Sequence, residues 1–240
     1  FLSLAGNLVP NDTNETTDAF AYNLDTAVMS LASVNTNGQS GNGFTGVPAL
    51  SADGRHVAFV SRATDLVTND TSTTEDVFVR DLQLGVTRLV SVNVAGTGGG
   101  SRLSFDPVIS ADGRFIAFAS GATNLVAVPD LNNFPDIFVR DTQLGMTKLA
   151  SINRLGTAAG SDGGNPAVRP LSFKPVLSAD GAKVLFESAA ADLVLGDNNN
   201  GRDVFLRDLV GDTTTLVSVN RFATGAGTGL SAITPYSLSA

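Results

Sequence analysis

The sequence predicts an all-β fold, a β-propeller of four-stranded blades, and three observations carry that prediction. First, Asp76-Val-Phe-Val-Arg-Asp81 returns as Asp136-Ile-Phe-Val-Arg-Asp141 and Asp203-Val-Phe-Leu-Arg-Asp208, with a worn copy at Asp18-Ala-Phe-Ala-Tyr-Asn23. Each copy runs on to a Ser-(Val/Ile)-Asn ending, at Asn35, Asn93, Asn153 and Asn220. Second, Ser51-Ala-Asp-Gly54 returns at Ser110 and Ser178, in steps of 59 and 68 residues. Units of that length belong to propellers or solenoids. Third, no stretch shows a helical period with caps, whereas the repeated strings are apolar runs of strand length.

Taken in order, each unit reads as four strands. The first is the approach to Ser-Ala-Asp-Gly, as in Pro107 to Ser110. Asp-Gly then makes the turn, because Gly accepts the positive φ of a tight hairpin. The second strand is Phe115 to Ser120, and a loop leads to the third, Asp136 to Arg140. A short turn with Gly145 leads to the fourth, Thr147 to Asn153. Strands two and three are almost continuously apolar, as expected when both sheet faces are covered by neighbouring blades. The chain thus divides into units of approximately 1–46, 47–106, 107–174 and 175–234.

The ends fit the same register. Phe1-Leu-Ser3 matches Phe59-Val-Ser61, and Ser239-Ala240 matches Ser51-Ala52. Residues 235–240 are therefore expected to supply the first strand of the unit that the N-terminus begins, a latch that removes an open edge. A closed four-bladed ring and an in-register arc of a larger propeller both satisfy this match. Opening at Phe1 and not at Met, the sequence reads as a processed form, an excised piece or a fragment.

Composition narrows the function classes. Hydrophobic residues make up 42% and charged residues 16%, which excludes a disordered chain. A net charge of −8 argues against nucleic acid and anionic membranes and suits cations or basic surfaces. With no cysteine there is no disulfide, thiolate zinc site or cysteine nucleophile. No run of eighteen apolar residues or signal-peptide pattern occurs, so no membrane insertion is expected.

Ser-Ala-Asp-Gly-Arg at 51–55 and 110–114, the apolar strand that follows, and Asp-Val-Phe-Val-Arg-Asp together resemble the TolB-like, WD-like propeller repeats of bacterial periplasmic and secreted proteins. The resemblance spans essentially the whole chain. It implies a propeller exported to the periplasm, cell surface or medium. For function it implies a range: interaction platforms, enzyme accessory domains and surface modules. Ala52, Ala111 and Ala179 depart from the Pro that many such repeats carry there.

In a four-stranded blade, the loops joining strands two to three and four to the next blade's first share one face. Length varies on that face: 17 residues separate Asn93 from Ser110, but 25 separate Asn153 from Ser178. Variable loops are where binding residues sit, and a protein or glycan ligand is expected there. The insert Leu155 to Leu171 also reads as a flexible surface loop.

The same face carries one constellation with chemical meaning. Entering the third strand, each unit places Asp at position one, Asn or Ser at three and Asp at seven. The sets are Asp12, Asn14, Asp18; Asp70, Ser72, Asp76; Asp130, Asn132, Asp136; and Asp197, Asn199, Asp203. Hard oxygens at alternating positions of a tight loop suit Ca²⁺. Asp81, Asp141 and Asp208 stand where an EF-hand closes, but the strand between spans roughly 16 Å and keeps them away. Backbone carbonyls and water must then complete each site. The other reading is structural: the last Asp caps a turn through Asx bonds and the first begins one. Gly201 singles out the Asp197 loop as the strongest candidate, because it allows a sharp turn.

Other residues read as structural. His56 has Phe115 and Lys183 in its equivalent slots, so it is a packing or surface position. Asp53, Asp112 and Asp180 are turn formers, and the Arg-Asp pairs of strand three suggest a network between blades. Phe105 and Phe173 read as core. Two function classes follow: a non-catalytic exported binding or scaffolding module, calcium-stabilised, or a carbohydrate-active enzyme or lectin domain using the axial mouth. The enzyme would need two carboxylates from different blades, and Asp106 and Asp162 are the nominees.

Overall fold

The computed structural model describes residues 1–164, 169–234 and 238, and these hold fifteen strands and no helix. Strands β1 (Leu2–Ser3), β2 (Asp18–Asn23) and β3 (Val28–Leu31) form the first blade. The second is β4 (Thr45–Leu50), β5 (His56–Ser61), β6 (Asp76–Asp81) and β7 (Val86–Leu89). The third is β8 (Ser104–Ile109), β9 (Phe115–Ser120), β10 (Asp136–Asp141) and β11 (Met146–Leu149). The fourth is β12 (Ser172–Leu177), β13 (Lys183–Ser188), β14 (Asp203–Asp208) and β15 (Thr213–Leu216). Each blade is an antiparallel meander, and together they make a β-propeller.

Phe1 occupies its expected slot. β1 pairs Leu2 with Ala19 and Ser3 with Asp18, as β5 pairs Val60 with Val77 and Ser61 with Asp76. The match of Ser239 and Ala240 to strand one falls outside the described residues.

First strands begin earlier than the sequence boundaries at 47, 107 and 175, at Thr45, Ser104 and Ser172. The reason is a bulge. Val47, Asp106 and Lys174, each followed by Pro, take φ of 43°, 52° and 51° in mid-strand, and the register with strand two shifts there. Non-glycine residues in this region are strained, so the surrounding ladder must hold them.

Blades join through a polarity of size. A stacked Phe pair on strands two and three faces backward: Phe59 with Phe78, Phe118 with Phe138, and Phe186 with Phe205, centroids 5.9 Å apart in each. Small residues face forward, because neighbouring positions of a strand point to opposite faces. So Phe118 and Phe138 pack on Ala58, Val60, Val77 and Val79 of the second blade. Likewise Phe186 and Phe205 pack on Ala117, Ala119, Ile137 and Val139 of the third.

A polar staple crosses each seam on the variable-loop face. Asp65 Oδ1 accepts the Asn42 N–H at 3.0 Å, Asn124 Oδ1 that of Ser101 at 2.8 Å, and Asp192 Oδ1 that of Ser161 at 2.7 Å. The Arg-Asp pairs of strand three, by contrast, act mainly within blades. Asp81 and Asp141 take the Arg55 and Arg114 guanidiniums of their own hairpins, while Arg80 and Arg140 donate to Thr87 and Thr147. The expected inter-blade network is thus an intra-blade clamp, because both partners lie on adjacent antiparallel strands and turns of one meander. Arg55 holds the Asp81 carboxyl well below the usual range.

On the opposite face, ring side chains stack on the turn glycine of the following blade. An added Cβ at Gly113 would stand 2.1 Å from His56 Nδ1, and one at Gly181 would stand 2.2 Å from Phe115 Cδ2. Gly54 has the same left-handed φ, 71°, with nothing within 4 Å. Gly54→Ala should therefore cost about 1 kcal/mol of backbone strain alone. Gly113→Ala and Gly181→Ala should cost distinctly more, read as melting-temperature differences. Equal losses in all three would show that the stacking contributes nothing.

Candidate functional site

The four acidic loops fold alike, for a local reason. The position-three side chain accepts the backbone N–H of position five: Asn14 from Thr16 at 2.9 Å, Asn132 from Phe134 at 2.7 Å and Asn199 from Gly201 at 2.6 Å. Ser72 does the same for Thr74 at 3.1 Å. The tight turn comes at position four, where Glu15, Asn133 and Asn200 take φ of 56°, 60° and 55°. Gly201 is not among the left-handed residues, so the expectation that it supplies the sharp turn of the Asp197 loop is corrected. Asn accepts that conformation more easily than most side chains, which frees Gly201 from the role.

Position seven begins strand three and is wholly buried: Asp18, Asp76, Asp136 and Asp203 are each 0% exposed. In every blade its Oδ1 accepts a serine hydroxyl from the end of strand four: Ser33 for Asp18, Ser91 for Asp76, Ser151 for Asp136 and Ser218 for Asp203. The same hydroxyls accept the N–H groups of Ala19, Val77, Ile137 and Val204. These serines were not singled out from sequence. Their signal is the constant fifteen-residue step from each Asp, inside the Ser-(Val/Ile)-Asn ending. The last Asp thus bonds across the sheet and does not cap its own turn, as the structural reading had it.

Position one is buried too: Asp12, Asp70, Asp130 and Asp197 are between 2% and 9% exposed. Asp70 Oδ1 accepts the Ser72 N–H at 2.9 Å, an Asx turn. Asp12 and Asp130 have no hydrogen-bond partner on either oxygen, and Asp18 Oδ2 and Asp76 Oδ2 have none either. A buried carboxylate without partners is costly. Each pair also repels itself. Burial first, with the charge of the companion adding, pushes Asp76 up to about 7 and Asp197 up to about 6. The same causes push Asp136 up to about 8, and burial raises Asp18, Asp70 and Asp130.

The position-three amide does not offer its oxygen to this pair. Asn132 Nδ2 donates to Asp136 Oδ2 at 2.8 Å and to the Gly160 carbonyl at 2.7 Å. Asn199 Nδ2 donates to Asp203 Oδ2 at 2.8 Å and to the Gly227 carbonyl at 2.6 Å, and Asn14 Nδ2 to the Gly41 carbonyl at 2.6 Å. These residues orient the loop against the crossover that follows strand four. The free oxygens belong to positions one and seven, most of all in the Asp12 loop and least in the Asp197 loop, whose Asp203 is satisfied twice. Among the described residues no three His, Cys, Asp or Glu side chains gather into a metal-binding group. Any cation here would rest on two carboxylates, backbone carbonyls and water, a donor set that suits Ca²⁺.

The remaining candidates separate. Asp106 is half-buried, its pKa raised by burial and lowered in part by Lys174. Asp162 accepts the Gly164 N–H at 2.9 Å in a turn, and no bond among the described residues joins it to Asp106. His56 lies 3.6 Å from Asp81 and 3.9 Å from Asp53, packed on Gly113. Glu187 was overlooked. It is wholly buried where the other blades carry Val60 and Ala119, paired with Lys174 at 3.3 Å and Arg202 at 3.4 Å, and it accepts the Ile233 N–H at 2.8 Å.

A pH dependence follows for protein in EDTA. Unfolded, these carboxyls ionise near pH 4. Folded, Asp76 and Asp136 keep their protons to about 7 and 8. Between those limits the folded state binds more protons, so stability should fall as pH rises from about 4 to about 8 and level off above. Melts across that range check it. A metal-free protein whose stability rises over this interval would refute the buried-pair electrostatics.

No family model matches the chain, and no curated protein matches it. Among solved structures it is similar to TolB from Acinetobacter baumannii, with 16% identity over 85% of this chain and 38% of that one, at a TM-score of 0.45. It is similar to a TolB from Agrobacterium tumefaciens, with 18% identity over 84% of this chain and 56% of that one, at 0.47. The β-propeller domain of the trilobed protease from Pyrococcus furiosus gives 16% identity over 75% and 44%, at 0.44. The chain thus spans little more than half of the longest-covered of these relatives, and its own sheets make it a β-propeller.

Proposed function

We propose that the chain is a non-catalytic binding or scaffolding propeller, exported to the periplasm, cell surface or medium, whose acidic loops hold Ca²⁺ and whose variable-loop face takes a protein or glycan partner. One observation carries the calcium reading: buried aspartate pairs at equivalent places in successive blades, with orphaned oxygens in the first three. A divalent cation removes both the repulsion within each pair and the missing bonds. Asp12 with Asp18, Asp70 with Asp76, Asp130 with Asp136 and Asp197 with Asp203 supply the carboxylates. Asn14, Ser72, Asn132 and Asn199 shape the loops. The non-catalytic reading is supported by how the reactive groups are used: His56 packs a seam, Asp53 makes a turn and Asp81 clamps Arg55.

If each pair binds Ca²⁺ only when folded, stability rises by about 1.4 kcal/mol per site at a free concentration tenfold above Kd. The melting temperature should climb in millimolar Ca²⁺ relative to EDTA at equal ionic strength, and less in Mg²⁺, which insists on octahedral geometry. Asp130→Asn should remove one increment of the calcium response while raising the melt in EDTA above about pH 8, where Asp136 has lost its proton and the pair is otherwise doubly charged. Coincident melts in Ca²⁺ and EDTA would retire the calcium reading. A hydrolase and lyase panel should return no turnover; activity abolished by Asp106→Ala or Asp162→Ala would replace the non-catalytic reading with an enzyme.

A further inference from the structure

After the fourth strand every blade makes the same turn. An Asn carbonyl accepts the N–H of the third residue on: Asn35 from Gly38 at 3.1 Å, and Asn93 from Gly96, Asn153 from Gly156 and Asn220 from Ala223 at 2.9 Å. The residue before that donor is Asn37 in the first blade but Ala95, Leu155 and Phe222 in the others. The first blade thus carries an Asn-Gly pair at its turn tip, where no Cβ on the second residue hinders the side-chain amide from folding onto the next backbone nitrogen. Asn37 and Gly38 are exposed, and the Asn37 side-chain amide makes no hydrogen bond among the described residues. Two further Asn-Gly pairs, Asn42-Gly43 and Asn200-Gly201, are locked by the fold. Asn42 Oδ1 accepts the Thr64 N–H at 2.8 Å, and its Nδ2 donates to Thr64 Oγ1 at 2.9 Å. At the other pair the backbone nitrogen is held, since the Gly201 N–H donates to Asn199 Oδ1 at 2.6 Å.

We propose that Asn37 is a site of spontaneous covalent modification, with water as the only co-reactant, and that the change loosens the first acidic loop. The Gly38 nitrogen, having given its proton to solvent base, attacks Asn37 Cγ. A C–N bond forms, the Cγ–Nδ2 bond breaks and ammonia leaves, giving a five-membered imide. Water opens the imide at either carbonyl. Residue 37 becomes aspartate or, with the chain rerouted through Cγ, isoaspartate; neither route needs an oxidant or a reductant. Isoaspartate adds one methylene to the backbone immediately before Gly38. That residue is a tie point: its carbonyl accepts Asn11 Nδ2 at 2.9 Å. The Asn11 carbonyl in turn accepts the Ser40 N–H at 2.9 Å, and Ser40 Oγ accepts the Thr13 N–H at 3.0 Å. These bonds bracket Asp12, whose buried carboxylate has no partner of its own to hold it. A lengthened turn pulls the Gly38 carbonyl from Asn11 and frees the loop from its crossover. The inference stands whether or not the loop holds Ca²⁺.

The test ages the full chain at mildly alkaline pH, folded and in denaturant, and follows each Asn-Gly peptide by mass. In the folded chain Asn37 should convert roughly tenfold or more faster than Asn42 and Asn200, because hydrogen bonds must break before either of those can react. In denaturant the three rates should converge. Equal rates in the folded chain, an Asn37 that stays intact while the denatured chain reacts, or a denatured chain in which Asn37 still leads would each overturn the site. Melts read the consequence. Asn37→Ala copies the Ala95 turn of the second blade and should melt like the unaged chain, before and after ageing. The aged chain should melt lower than the fresh one. Full conversion at Asn37 with an unchanged melt overturns the loosening of the loop. An Asn37→Asp variant that melts as low as the aged chain assigns the effect to the new charge and overturns the rerouted backbone as its cause.

Discussion

Everything in this molecule depends on how closely one blade can approach the next. The stacked Phe pairs project backward into surfaces of Ala and Val, and an aromatic pair buries large apolar area only if the facing layer is small. The approach is close enough that glycine is required where the backbones pass. A Cβ on Gly100 would stand 2.7 Å from Ala122 Cβ, and one on Gly160 would stand 2.7 Å from Leu193 Cδ2. Side-chain size thus alternates across every seam, and the repeat preserves that alternation.

The close seam is what brings the acidic loops into being as sites. Gly160 touches the Ala190 and Leu193 side of the following blade, and its carbonyl receives the Asn132 amide of its own blade. The crossover is therefore shared between packing and the loop that carries the carboxylates. Pulling the crossover inward removes water from the aspartate pair. The carboxylates end up buried not because they pack well but because the apolar seam beside them does. Their unmet bonds and mutual repulsion are a cost that the seam sustains and that a cation would relieve.

The two faces of the disc divide the work. On the hairpin face, turn glycines, ring stacking and the Arg–Asp clamps make the second and third blades near-copies of each other. On the other face, the staples of Asp65, Asn124 and Asp192 hold the loop bases while the loops themselves differ in length. A rigid base under variable loops is the arrangement in which surface chemistry can change without disturbing the core.

Much of this was legible in the sequence, since it is written in local patterns. Apolar runs between Asp-Gly turns specify strands and hairpins, and four copies of the same string specify blades. The acidic positions could be named for the same reason. What the sequence could not specify was what those side chains meet. That Asn132 turns its amide, not its oxygen, toward Asp136 depends on where the Gly160 carbonyl lies, 28 residues on. That Ser151 bonds Asp136 depends on strand four returning beside strand three. The bulge at Val47, Asp106 and Lys174 likewise moved the blade boundaries, because a left-handed residue before Pro is held by the pairing around it and not by its own preference. Pattern determines the conformation of a segment; only the tertiary structure decides which distant groups it satisfies and which it leaves without partners.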